Sequence, residues 1–568
     1  MLRFLMSSAA VVSLCLASGE PVSAQSVAGP YLAGRAAAIQ SDYPNAAQYF
    51  TQALARDPSN VSLMESAVLA NLAMGFVDKA VPIAQALASQ GPRSQVADLA
   101  LMAQAIKAED YARIINAEPQ TEGIGPLIEG LLIAWAQMGQ GEVATALASF
   151  DTAAAQPGLQ GFGLFQKAMA LAMVGDYEGA EAILSAENAA GAVQTRQGVM
   201  SRVAILSQLE RNTDAIELIS STFNGATDPE LDRVIAQLQA GETIPFSHVR
   251  SVQDGFSDVF FSVAAALRNE AGPEVTLLYV QIARNLRPDN VEAMLLTAEL
   301  FEEIGQFDAA IDVYKLVPSD DPAYHAAELG RAMALRQSDR PEAAIEVLEQ
   351  LARSRGELAA VHSSLGDALR AQDRFVEAIA AYDRALELTK ENDRSRWFLY
   401  YARGIARQLV GDWAESESDF RAALELNPDQ PQVLNNLGYG LVEQRSKLDE
   451  ALDMIERAVA ASPDSGYIVD SLGWALYRLG RYNEAVPHME RAVELMAVDP
   501  IVNDHLGDVY WAVGRKREAE FQWHRALSFV SRDTSGEVDP DRIRRKLEIG
   551  LDKVLEEEGA APLTSASE

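Results

Sequence analysis

The chain has 568 residues, 48% hydrophobic and 7% aromatic, with 81 acidic against 47 basic side chains and a formal net charge of -34. Such an acidic chain lacks the basic stripe that a phosphate backbone requires, which excludes nucleic acid as a partner and sets repulsion against anionic lipid. The length exceeds what one compact core sustains, and no sustained Val, Ile and Thr runs bounded by turns signal a sheet, so the composition predicts an all-α chain with its core spread along one dimension.

In chain order, Arg3 precedes the apolar run Ala9 to Ala17, and Val22-Ser23-Ala24 follows as a small-residue cleavage site. This pattern predicts a signal peptide over residues 1–24, cleaved after Ala24, and an exported, periplasmic chain. Cys15 follows Leu14 instead of a small residue, so it reads as an apolar signal-peptide residue and not as a lipid attachment site. Cleavage would leave a chain with no Cys, stabilised by packing alone. No later stretch has the roughly 18 apolar residues that a membrane helix needs.

From there a unit of about 34 residues recurs almost to the C-terminus. Residues 25–92 hold good copies, marked by Gly34, Ala46, Phe50, Ala53 and Pro58. Over 93–288 the signature degenerates, although Gly139 with Ala146, Phe150 and Ala153 keeps the spacing, and irregular repeats are predicted there. The stretches Gly158 to Gly163 and Gln239 to Pro245 read as connecting loops where the array bends. Residues 289–430 return to regular units, with Gly366, Ala378, Tyr382 and Ala385, then Gly404, Gly411, Phe420, Ala423 and Pro428. The best copies lie in 431–530, where Leu472-Gly473-Trp474 leads through Gly480-Arg481 to Tyr482 and Ala485. Small residues at Gly473 and Ala485 let two antiparallel helices cross closely, with Leu472, Leu476 and Tyr482 filling the seam. About fourteen such units are predicted. Residues 539–558 carry Ile543, Leu547, Leu551, Val554 and Leu555 at helical spacing and read as a capping helix, with a disordered tail over 559–568.

These residues make the chain resemble the tetratricopeptide repeat family, which implies a right-handed superhelical α-solenoid of antiparallel helix pairs whose first helices line a concave groove. The resemblance implies groove positions beside each Leu-Gly pair. They are Asn435, Asn436 and Tyr439; Tyr467, Asp470, Ser471, Trp474, Tyr477 and Arg478; and Asp504, His505, Asp508 and Trp511, with Arg370, Phe398 and Tyr401 extending the surface. The mixture of aromatic and polar groups matches protein-binding hot spots, with Trp474, Tyr477 and Trp511 as anchors. An alternative is that Trp474 and Tyr477 pack between hairpins.

The C-terminal third, from Leu434-Asn435-Asn436-Leu437-Gly438 to Asp504-His505-Leu506-Gly507-Asp508, is similar to long exported bacterial tetratricopeptide proteins, among them the outer-membrane adaptor of a carboxyl-terminal processing protease. That likeness implies a periplasmic scaffold that binds a protease or an envelope-assembly enzyme. The first alternative is an assembly factor for exopolysaccharide or cell-wall machinery; the second is a hydrolase with a site hidden in 120–272. No His-x-x-x-His, Gly-x-Ser-x-Gly or phosphate-loop pattern occurs, so no catalytic residue, metal or cofactor is predicted.

Overall fold

The computed structural model describes residues 27–91, 94–117, 126–156, 160–186, 196–223, 229–530, 538–560 and 562–563. The expected signal peptide, Cys15 and most of the tail expected to be disordered lie outside them. The described residues form helices joined by turns and loops, with no strand among them, and the chain divides into two compact units, 1–334 and 335–568.

Unit 1 starts with six helix pairs: α1 (Ala28–Ile39) with α2 (Tyr43–Leu54), α3 (Val61–Ala73) with α4 (Val77–Ser89), α5 (Gln95–Lys107) with α6 (Tyr111–Ile115), α7 (Pro126–Gly139) with α8 (Val143–Ala154), α9 (Gln160–Met173) with α10 (Tyr177–Leu184), and α11 (Arg196–Gln208) with α12 (Asn212–Thr222). Then come α13 (Pro229–Gln239), α14 (Val252–Leu267), α15 (Pro273–Leu286), α16 (Val291–Glu303) and α17 (Phe307–Tyr314), and the division between units falls within α18 (Tyr324–Gln337).

Unit 2 holds α19 (Pro341–Ser354), then the pairs α20 (Ala359–Arg370) with α21 (Phe375–Leu388), α22 (Arg396–Leu409) with α23 (Trp413–Leu426), α24 (Pro431–Glu443) with α25 (Leu448–Ala461), α26 (Gly466–Arg478) with α27 (Tyr482–Leu495), and α28 (Pro500–Ala512) with α29 (Lys516–Phe529). The segment expected to form one capping helix is instead two, α30 (Pro540–Ile549) and α31 (Leu551–Glu557). Gly550 separates them at φ 84°, a left-handed value that a helix interior does not accept.

One packing rule builds the pairs. In α20, α24, α26 and α28 the glycine of the Leu-Gly motif lies against a large side chain of the following helix: a Cβ on Gly366 would meet the Tyr382 ring at 2.6 Å, and one on Gly438 would meet Ile455 at 2.7 Å. Gly473 faces Met489 and Gly507 faces Trp523 in the same way. The turn between helices is also shared. At Gly480 (φ 77°) the amide bonds back to the Tyr477 carbonyl and that of Arg481 to the Leu476 carbonyl, each at 2.9 Å, closing the first helix on a left-handed residue.

Gln160, Gly161, Phe162 and Gly163, read from sequence as loop, belong to α9. The glycines are there for contact, since a Cβ on Gly163 would strike the Ala154 backbone nitrogen at 2.6 Å. The loop after Gln239 is irregular: residues 242–250 have no regular secondary structure and pass the end of α11, where Gln208 donates to the Ile244 carbonyl (2.8 Å) and the Ile244 amide donates to Ser207 Oγ (2.9 Å).

Within each unit successive first helices approach one another, α3 with α5 and α7 with α9 in unit 1, α24 with α26 and α26 with α28 in unit 2. The first helices therefore line the inner side of each stack. In unit 1 that inner side is filled from α3 to α9, while a cavity of about 280 Å³ between α1 and α3, lined by Tyr31, Arg35, Ile39, Ser62, Ser66 and Leu69, stays open. The α14–α15 pair, expected to be an irregular repeat in the array, packs against α3, α5, α7 and α9. Phe256, Val259 and Phe260 of α14 and Leu277, Val280 and Ile282 of α15 are fully buried, Phe256 stacks on Tyr111, and Gln281 donates to the Ala73 carbonyl at 2.8 Å.

Candidate functional site

α14 and α15 cover the inner face of unit 1 from α3 to α9; the groove residues expected from the sequence lie on the inner face of unit 2. Its rim begins at α22, where Phe398 is 41% exposed and Trp397 packs edge-on to it at 5.9 Å. Tyr401, one turn on, accepts from the Asn436 amide at 3.3 Å. Its hydroxyl is pushed up to about 12 by burial and by the nearby Tyr467, against the pull of Arg370. Tyr467, at the start of α26, is 42% exposed. Phe398, Tyr401, Asn436 and Tyr467 thus form one aromatic and amide strip across α22, α24 and α26.

Deeper in, the residues expected as groove contacts divide into two classes. Tyr439 is half-buried, its hydroxyl pushed up to about 12 by burial with Glu443 and Asp470 adding, and Arg478 pairs loosely with Glu443 at 3.7 Å. These stay at the surface of the groove. Asn435 is 2% exposed, and Tyr477 is 8% exposed with its ring against Trp474 (4.8 Å) and Tyr482 (5.4 Å). Asn435 and Tyr477 are packing residues, which corrects the expectation that Tyr477 is a free anchor. Trp474 is covered on one face by His505, ring centroids 3.9 Å apart and nearly parallel. Ser471 spends its hydroxyl on the Tyr467 carbonyl.

On α28 the expected contacts are taken by the chain itself. Lys546 of α30 reaches Asp504 at 2.9 Å and Asp508 at 2.6 Å with its side chain fully buried, and the Trp523 indole donates to Asp508 at 3.0 Å. The Trp511 indole donates to Asp552 of α31 at 2.9 Å. Asp504, Asp508 and Trp511 are therefore covered by the two C-terminal helices. His505 Nδ1 donates to the Asp470 carboxylate at 3.0 Å, and its imidazole pKa is raised: burial opposes the charge, but Asp470, with Asp504 and Asp508 behind it, outweighs burial. Sequence reading missed Lys546 and Arg542, whose spacing on an amphipathic helix looks like surface charge.

Unit 1 carries a second polar cluster that sequence did not point to. Asp258 of α14 accepts from Gln166 (2.6 Å) and Gln197 (3.0 Å) and meets His248 Nε2 at 2.8 Å, while Gln166 also accepts from the Trp135 indole (2.8 Å). Each polar atom has a partner, and no nucleophile stands beside His248 in these contacts, so the network ties α14 to α7, α9 and α11. Among the described residues no group of three or more His, Cys, Asp and Glu side chains is arranged to hold a metal, and no helix is long and apolar enough to cross a membrane.

Family models for the tetratricopeptide repeat match residues 31–95, 278–325, 329–393 and 401–466, and a second model of the same repeat matches 468–496. These repeats are tetratricopeptide repeats. The unmatched stretch 96–277 contains α14, the helix turned inward. A TPR repeat-containing protein of Pseudomonas aeruginosa is 31% identical over 185 residues, 32% of this chain and 30% of its own length. Protein O-mannosyl-transferase TMTC1 of Homo sapiens is 23% identical over 173 residues, 20% of its length. The chain thus spans under a third of the curated relatives it matches. Among solved structures, the APC/C hetero-tetramer Cut9-Hcn1 aligns over 92% of this chain and 96% of its own at 15% identity and a TM-score of 0.40. MamA aligns over 29% and 92% at 23% identity with a TM-score of 0.26. Tetratricopeptide repeat proteins are protein-interaction scaffolds, and on the first helices of unit 2 Phe398 and Tyr467 are exposed.

Proposed function

We propose that the chain is a non-enzymatic scaffold that captures segments of partner proteins along the inner face of unit 2. The observation that carries this reading is the contrast between the units. The inner face of unit 1 is filled from α3 to α9 by α14 and α15, whereas that of unit 2 exposes Phe398 and Tyr467, with Tyr401, Asn436 and Tyr439 between them. Aromatic rings give contact area at low entropic cost, amides give adaptable hydrogen bonds, and several modest contacts in register sum along a rigid array.

The partners in this proposal are envelope proteins, a processing protease or an assembly enzyme, met in the periplasm after export. Supporting this part are the Arg3 to Ala24 pattern and the likeness of residues 434–511 to exported adaptors. No catalytic step is assigned.

The test uses the full mature chain as bait in envelope extracts, with a Phe398→Ala, Tyr467→Ala double variant beside it. Both side chains are exposed, so the variant keeps its helicity and melting behaviour. Partners identified by mass spectrometry should lose about tenfold or more in apparent affinity, the loss of a hot-spot pair. Equal capture by the two baits overturns the groove assignment, and recovery of no envelope protein overturns the compartment.

A further inference from the structure

Along the inner face of unit 1, α14 and α15 pack from α3 onward and leave the gap between α1 and α3 open. Gly34 sets the base of that gap. A Cβ there would meet the Phe50 ring at 2.8 Å, so α1 lies directly on α2 and the buried Phe50 ring faces the cavity from below. Ile39 of α1 and Leu69 of α3 supply apolar walls, and the volume is about 280 Å³.

The polar lining has an unexpected sign. The chain carries 81 acidic against 47 basic side chains, yet the cavity is lined by one cation, Arg35, and by no carboxylate. Arg35 donates to the Tyr31 hydroxyl at 3.3 Å and pairs with no carboxylate among the described residues. The acidic groups at this end of the unit are engaged elsewhere: Asp42 accepts from the Asn45 amide that it caps, and Glu274 of α15 accepts from Ser41 at 3.2 Å. The other polar groups are hydroxyls. Ser66 donates to the Ser62 carbonyl, whereas the Tyr31 and Ser62 hydroxyls donate to no described residue. A guanidinium with free N–H groups beside two free hydroxyls, above an apolar base, suits a ligand that joins a carboxylate to an apolar group.

Size selects the kind of ligand. The cavity falls just short of the roughly 300–1,000 Å³ of sites that enclose a whole small molecule, so it holds one side chain of something larger. A long acyl chain would need an apolar channel that the inserted pair blocks beyond α3. We propose that this cavity is a second docking site, which takes a partner peptide segment presenting a bulky apolar side chain beside an Asp or Glu. The apolar side chain enters between Ile39 and Leu69 onto Phe50, and the carboxylate accepts from Arg35 with Tyr31 or Ser62 adding a bond. The site goes beyond the unit 2 strip and stands whether or not that strip binds anything: one is neutral, aromatic and amide-lined, the other small and cationic, so the two select different segments.

The test selects a phage-displayed library of random dodecapeptides on the full chain carrying Phe398→Ala and Tyr467→Ala, which removes the exposed rings of the unit 2 strip. Selected sequences should be enriched in Asp or Glu within two positions of Leu, Ile or Phe, and the matching synthetic peptides, capped at both ends, should bind the wild-type chain equally well. Arg35→Glu should weaken them about tenfold or more, and Ile39→Ser about fivefold. Both side chains are exposed, so circular dichroism and melting should be unchanged. Raising sodium chloride from about 0.05 M to about 0.5 M should also weaken binding severalfold, as a surface carboxylate pair requires. A selection that enriches nothing or shows no acidic preference overturns the proposal. So do selected peptides that bind Arg35→Glu as tightly as wild type, or sodium laurate binding through Arg35 where no peptide does. Loss of partner capture at Phe398 and Tyr467 bears only on the unit 2 reading, because the peptides here are selected without those rings.

Discussion

The turn residue and the crossing glycine explain both what could be read from the sequence and what could not. In two of the best copies the left-handed turn residue is glycine, Gly480 and Gly514, and the 34-residue signature stands out. In other pairs the same backbone is built without it: Glu210 sits at φ 61° and Asp373 at φ 55°, each followed by the same long turn bond, from Arg211 to the Leu206 carbonyl and from Arg374 to the Leu369 carbonyl. A pattern search that leans on a turn glycine blurs the Glu210 unit although the fold keeps it, whereas the crossing Gly366 leaves the Asp373 unit legible. The crossing glycine tolerates less. Gly366→Ala would drive a methyl into the Tyr382 ring, whose hydroxyl donates to Asp367 at 2.7 Å and so resists moving. Urea unfolding should show a loss of about 1–3 kcal/mol for this one carbon, and no loss would mean the helices separate freely. Glu292 offers a pH test at the same scale. Burial raises its carboxyl pKa, with His248 opposing and Asp258 and Glu230 adding. A raised folded value means that its favourable contribution is present below the unfolded pKa and lost as pH rises through the folded one. Glu292→Gln should therefore raise the melting temperature near neutral pH and lose that advantage below about pH 4, where the wild-type carboxyl is protonated anyway.

Elements became illegible where both of their faces are covered. A helix on the outside of a stack shows an apolar stripe with a period of 3.6, but α14 has Phe256, Val259, Phe260 and Phe261 around its circumference, with Asp254, Ser257 and Asp258 buried beside them. Periodicity cannot say that such a helix lies inside a superhelix, and the buried polar residues make it look less like a core element still. Their placement is decided by partners far along the chain, such as Gln166 and Gln197 on Asp258, that no local pattern reveals. The element is correspondingly central to unit 1. Phe256→Ala should cost about 3–5 kcal/mol, since the ring is fully buried between Tyr111 and the α14–α15 seam. Exchange measurements should show α3, α5 and α7 losing protection with α14, because they share one buried face. A cost under about 1 kcal/mol would mean that the inserted pair is only loosely seated.

At the scale of the whole molecule the acidic excess was legible at once, and its structural meaning follows from where the pairs lie. Arginine is spent on near neighbours: Arg374 with Glu377, Arg481 with Glu484 and Arg515 with Glu518 all bridge one turn at the start of a second helix. Such exposed pairs contribute little each, about 0–1 kcal/mol, and they consume the basic side chains locally. The remaining acidic charge, -34 over the chain, has no counterpart and repels itself. Salt screens both terms, but the attractive pairs act over a few ångströms, inside the Debye length of about 10 Å at 0.1 M, whereas the net repulsion acts beyond it. Added salt should therefore remove more repulsion than attraction. The melting temperature is expected to rise between roughly 0.01 M and 0.15 M sodium chloride, where the Debye length falls from about 30 Å to about 8 Å, and then to level off. A melting temperature that falls over that interval would show that the short arginine pairs carry more of the stability than their exposure allows.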